Sequence, residues 1–236
     1  MRSRYFLIVF IIYLTTGGFK PGHDNGTAVT IIQFKNWVGN KEMKLFDETY
    51  TNQFGEPMVI TKFRYYISHI SYTDAGYEIV LPEYYLINQA DSLSKIIQLP
   101  AAGIKAISFL IGVDSIKSVS GVQTGSLDPM NGMFWTWNSG YIFAKLEGQS
   151  DSSNALAHSF TWDVGGFRQP ENALRKIKLT LPANPPGNTI VINADVLKWF
   201  DGTHRLKISQ SPVCHQAGKL AMQIADNYSA MFSVSP

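Results

Sequence analysis

Cysteine is nearly absent. Cys214 is the only one in 236 residues, so no internal disulfide forms and the fold must be held by its core. That thiol is open to three readings: buried packing, metal binding or pairing with a second chain. Charge is sparse as well. Only 16% of residues are Asp, Glu, Lys or Arg, the formal net charge is +2 and no basic run occurs, which argues against nucleic acid as a partner. The chain also lacks a repeat, a nucleophile elbow, a phosphate loop and a dinucleotide fingerprint, so nothing in it asks for an enzyme. Long hydrophobic runs are missing apart from Tyr5 to Leu14, which falls short of the roughly 20 residues of a membrane span.

That one run has the setting of a signal peptide over 1–18, with Arg2 and Arg4 before it and the small residues Thr15 to Gly18 after it. Its removal leaves an exported chain with no membrane span and a formal charge of zero. A polar leader follows over 19–27, and 28–236 reads as a single domain.

What is abundant is apolar and aromatic residues, at 45% and 13%, enough for a packed core. The segment from Ala28 to Phe34 alternates and is β-branched, which predicts a strand. Further strands are predicted at Met58 to Tyr72, Glu78 to Leu81, Tyr84 to Asn88, Ala106 to Val113, Gly140 to Leu146, Ser159 to Val164, Arg175 to Leu181 and Thr189 to Asn193. Turn-forming residues separate them at Asn52 to Pro57, Asp74 to Gly76, Pro182 to Gly187 and Asp201-Gly202. Short strands broken by turns predict a mainly β protein, a β-sandwich, because each sheet needs a second apolar face against which to bury its own. One helix closes the chain and covers the sandwich: Ala217, Leu220, Ala221, Ile224, Tyr228, Met231 and Phe232 form a stripe at helical spacing.

The densest motif is MFWTWNSGYIFAKLEG, Met133 to Gly148. An extended Met133 to Trp137 places Trp135 and Trp137 on one face and Phe134 and Thr136 on the other. Such an indole pair serves either as a hydrophobic anchor or as a working surface. A long Ser/Gly/Asp-rich segment from Val113 to Asn131 leads into it and is placed to form one wall of a site. Asp114 and Asp128 flank that segment, but without the oxygen-ligand spacing of a calcium loop.

The run GVDSIKSVSGVQTGSLDPMNGMFWTWNSGYIFAKLEG, Gly112 to Gly148, resembles the signature of the MbnP-like copper-binding family of exported bacterial proteins. TKFRYYISHI from Thr61, FTWDVGGF from Phe160 and IADNYSAMFSV from Ile224 resemble its early strand, glycine-containing strand end and C-terminal helix, in the expected order. The resemblance implies an exported, periplasmic or cell-surface protein binding copper in acquisition, storage or delivery. It also implies a tryptophan, Trp135 or Trp137, oxidised to kynurenine by a dihaem partner enzyme. Ring opening would give a packing residue an amine and a carbonyl, both usable as metal ligands.

Two departures bear on this. Asp163 stands where many relatives carry a histidine before the x-Gly pair, and the tail Ser233-Val234-Ser235-Pro236 lacks a histidine that relatives often have there. Both changes remove soft ligands suited to copper(I). The ligands then assigned are His158 and Asp163, whose odd separation demands a bulge or bend for a shared metal. Of the other imidazoles, His69 reads as an exposed strand residue, His204 as a solvated loop residue and His23 as part of the tail, while His215 beside Cys214 forms the best local soft pair. A second reading assigns Trp135, Trp137 and Tyr141 to an aromatic platform that stacks on glycans.

Overall fold

The structure, a computed structural model, describes residues 29–235 apart from 75, 102, 137 and 182–187. The signal peptide, the leader with His23, Trp137 and the turn from Pro182 to Gly187 lie outside the described residues.

In chain order the elements are β1 (Thr30–Val38), β2 (Lys41–Glu42), β3 (Thr49–Thr51), β4 (Pro57–Asp74), β5 (Tyr77–Val80), β6 (Tyr84–Asn88), β7 (Ile96–Leu99) and β8 (Ala106–Ile111). Helix α1 (Ser115–Val119) follows, then β9 (Phe134–Thr136), β10 (Gly140–Gln149), β11 (Ser159–Gly165), β12 (Arg175–Thr180), β13 (Thr189–Asp195), β14 (Val213–Cys214), α2 (Lys219–Tyr228) and β15 (Phe232–Val234). The smaller sheet runs β15-β13-β1-β2 with β7 also on β1. The larger runs β12-β8-β4-β10-β11-β14, with β3, β5 and β6 on β4 and β9 on β10.

The sandwich and the predicted strands are present, and the alternation in β1 shows why. Thr30, Ile32, Phe34, Asn36 and Val38 point into the molecule while the residues between them are half-buried. Between the sheets the rings of Phe34, Tyr65, Phe109 and Phe232 interlock edge-to-face at centroid distances of 5.1 to 6.3 Å. Asn36 enters this layer because both ends of its amide are used: Nδ2 donates to Gln89 Oε1 and Oδ1 accepts from the Tyr65 hydroxyl.

The C-terminal helix is shorter than its stripe predicts. It ends at Tyr228, and the chain turns so that Phe232 pairs opposite Ala194 as part of β15. Insertion into the inter-sheet core buries the Phe232 ring, worth about 2–3 kcal/mol, which a further helical turn would forgo. Asn227 is fully buried in α2, accepting from the His204 amide and donating to the Trp199 and His204 carbonyls. These bonds tie the helix to the preceding loop.

Candidate functional site

β10 is buried on both faces because the segment over 113–136 folds back across the outer side of the larger sheet. Tyr66 donates its hydroxyl to the Ser126 carbonyl, Tyr141 to Leu127 and Arg64 to Asn131, fastening the segment down. Asp114 and Asp128 act as caps, accepting from the Lys117 and Met130 amides. The long segment is thus fastened over the sheet, with one oxygen of Asp114 and one of Asp128 accepting a backbone amide at a cap.

The aromatic motif is divided. Phe134 packs its ring 4.9 Å from that of Tyr141, and Tyr141 is 1% exposed. Trp135 is half-buried, with its benzo edge over Gly165 at the end of β11. A Cβ on Gly165 would stand 2.9 Å from that ring and 2.5 Å from the Tyr141 carbonyl oxygen, so only glycine admits the indole there. The indole N–H of Trp135 is buried without an acceptor. An exposed aromatic row is therefore not formed by Trp135 and Tyr141, and the glycan platform loses Tyr141 to packing.

Asp163 lies two residues before Gly165 on the same strand face, at the head of a ladder of alternating charges. Lys62 Nζ is 2.7 Å from Glu147 Oε2, Lys145 Nζ is 2.8 Å from both Glu147 Oε1 and Asp163 Oδ1, and His215 Nδ1 is 3.2 Å from Asp163 Oδ2. The register explains it, since Lys145 sits opposite Asp163 and Glu147 opposite Lys62. Burial pushes the Glu147 carboxyl up, but hydrogen bonds from Lys145 and Lys62 outweigh it and hold the group below its ordinary value. Asp163 and Lys145 are 5% and 7% exposed. Asp163 Oδ1 faces the ammonium as an ion pair yet accepts no well-aligned hydrogen bond.

His215 was visible in the sequence only as a neighbour of Cys214; its contact with Asp163, 52 residues away, was not. Its side chain is half exposed, at the rim of a pocket of about 300 Å³ formed by Val213 to Ala221. Because Nδ1 is directed at the carboxylate, Nε2 is left as the free donor atom. This is the carboxylate-to-imidazole arrangement that orients metal-binding histidines. Cys214 is buried, and burial pushes its thiol up to about 11, so it is not a ready thiolate.

His158 stays outside this group. It is exposed in the tight turn before β11, with φ of 54° and Nδ1 against the Ser153 carbonyl at 3.1 Å. Asp163 lies five positions further along the chain, roughly 16 Å away at strand spacing. The structure does not bring the two assigned ligands together. His204 departs from its reading as a solvated loop residue: Nε2 is 3.1 Å from Asp226 Oδ2, beside Arg175.

Tested against copper, the fit is incomplete. Among the described residues no three His, Cys, Asp or Glu side chains converge, and a cation bound directly by Asp163 would have to displace a buried ammonium.

Fold and site define a class: a two-sheet β-sandwich with an aromatic segment folded over one outer face and a strand, β11, that runs into paired glycines. The family model MbnP matches residues 27–216, and the chain belongs to the MbnP family. Among solved structures, MbnP from Methylosinus trichosporium matches with a TM-score of 0.56 over 88% of this chain and 98% of that one. At 13% identity this likeness is one of fold. No curated protein matches the sequence. Among the described residues, no helix is long and apolar enough to cross a membrane.

Proposed function

We propose that this protein is an exported copper-binding member of its family, acting in copper acquisition, storage or delivery rather than catalysis, with His215 Nε2 as the copper contact. The observation that carries this reading is the His215 Nδ1 to Asp163 Oδ2 pair, at the strand end where the family resemblance implies a histidine. Asp163 is then a positioning residue that fixes the imidazole, and not itself a ligand. A single imidazole leaves copper under-coordinated, so the ion is held as cargo whose remaining positions are filled from outside the chain. Trp135 is the residue for conversion to kynurenine, in which a dihaem partner with peroxide or dioxygen as oxidant cleaves the indole C2–C3 bond and hydrolysis releases C2 as formate. Its N–H has no acceptor to lose, and it lies beside the same strand end.

The test is competition for copper(I) against a colorimetric chelator under reducing conditions. His215→Ala is expected to abolish retention and His158→Ala to leave it unchanged. Equal retention in His215→Ala and the wild type would overturn the assignment. Intact mass of the protein from its native host reads out indole ring opening separately.

A further inference from the structure

β4 is interrupted by a bulge, and beyond the bulge the outer face of the larger sheet is open. The register shifts between Ser68 and Ser71, and His69 takes φ of 49°. His69 thereby leaves the strand alternation. It is half-buried, with Nε2 3.5 Å from Asp114 Oδ2, and not simply an exposed strand residue. Ser68, before the bulge, is fully buried and donates to the Gly112 carbonyl, whereas Thr73 and every residue of β5, after it, are exposed. A groove of about 320 Å³ opens there across β5, β4, β8 and β12.

The registers fix what this groove contains. Ser71, Ser108 and Lys178 stand side by side on three adjacent strands. In the next row Glu78 stands opposite Thr73, and Ala106 opposite Thr180. Tyr72 and Ile107, between these rows, point the other way and are buried in the core. Small side chains therefore make the floor, and the two charges stand at opposite rims, Glu78 on β5 and Lys178 on β12. Three strand spacings across and two residues along the strands put their Cα atoms roughly 16 Å apart, beyond a direct ion pair. Among the described residues neither charge has an ion-pair partner. On the floor, Ser71 and Ser108 hydrogen-bond to each other at 2.8 Å, which uses one of their two hydroxyl protons. The other belongs to a hydroxyl that lines the groove.

We propose that this groove binds a short peptide with free ends, its ammonium on Glu78, its carboxylate on Lys178 and its amides over the hydroxyl floor. A ligand with a single charge would satisfy one rim and leave the other unused, whereas a peptide carries both charges, one at each end. An extended tripeptide spans about 10 Å, and the Glu78 and Lys178 side chains cover the remainder. A single amino acid is too short to meet both rims. The hydroxyls of Ser71, Thr73, Ser108 and Thr180 both donate and accept, as peptide N–H and C=O groups require. A sugar ring finds no stacking partner here, because Tyr72, the aromatic residue among those lining the groove, faces the core. The groove shares no residue with the His215 site, so it stands apart from the copper reading.

The experiment is an NMR titration of the full chain, stripped of metal with EDTA, with triglycine at low salt. Saturable binding is expected in the wild type and equally in His215→Ala. Glu78→Gln and Lys178→Met change exposed side chains, so the fold is kept, and each is expected to weaken binding about tenfold through loss of a charged hydrogen bond. On the wild type, glycine and an N-acetylated, C-amidated triglycine are each expected to bind about tenfold more weakly than triglycine for the same reason. No saturable binding of triglycine to the wild type would overturn the proposal. So would equal affinity in the wild type and the Glu78→Gln, Lys178→Met double variant, or a capped peptide that binds as tightly as the free one.

Discussion

Among the described residues three imidazoles face a carboxylate, and His215 and His69 differ in the charges behind theirs. Behind Asp163 stands the buried Lys145 ammonium, itself shared with Glu147; behind Asp114 stand only a backbone amide and the Tyr84 hydroxyl. A carboxylate already neutralised by lysine orients a neighbouring imidazole and has little left to offer a cation. A carboxylate without a lysine of its own has the imidazole as its nearest source of positive charge. The same residue pair thus stands on a lysine-backed strand end in one place and at a helix cap in the other.

Removing the ammonium is the strongest way to break the contrast. Lys145→Met strands Asp163 in a site 5% exposed and is expected to cost about 3–5 kcal/mol in urea unfolding. Combined with Asp163→His it restores an imidazole pair at the strand end, and copper(I) retention should then exceed that of Asp163→His alone, as chelator competition would show. Unchanged retention in the pair would mean that Lys145 does not control the site. Gly165→Val comes next. Its side chain overlaps the Trp135 ring and the Tyr141 carbonyl, an expected loss of about 1–3 kcal/mol with a red-shifted tryptophan emission as the indole is expelled.

Acid sharpens the other half of the comparison. Burial pushes the Asp114 carboxyl up, but hydrogen bonds from Tyr84 and the Lys117 amide and the nearby His69 leave it below its ordinary value. Its contribution is therefore complete above the ordinary carboxylate range, about pH 4, and is lost as pH falls through the depressed folded value. Asp114→Asn should flatten the fall in stability below that pH, by on the order of 1 kcal/mol. The smallest effect is expected for His158→Ala, within about 0.5 kcal/mol in thermal unfolding, because its ring lies on an exposed turn.

Much of this architecture is legible in the residues, and the parts that are not have physical reasons. β1, β4, β8 and β13 are long enough for alternation to show, whereas Lys41–Glu42, Thr49–Thr51 and Val213–Cys214 are too short to express a period. Phe232 satisfies the helical stripe and the strand that actually holds it, and only the presence of Ala194 opposite decides between them. At the site, the aromatic run marked the covered face and Asp163 marked the strand end. The pairing of Asp163 with His215 depends on β14 lying parallel to β11, a contact between distant segments that no local spacing announces. Lys145 did leave a signal: a lysine within the apolar strand GYIFAKLEG needs a buried carboxylate, and Asp163 is the acidic residue on the next predicted strand.

The most direct test of the copper assignment is imidazole nitrogen NMR during copper(I) addition, since that ion is diamagnetic and leaves each ring observable. His215 Nε2 is expected to move with added copper while Nδ1 keeps its hydrogen-bonded shift and His158 stays in place. Movement of His158, or copper retained with His215 unmoved, would contradict it.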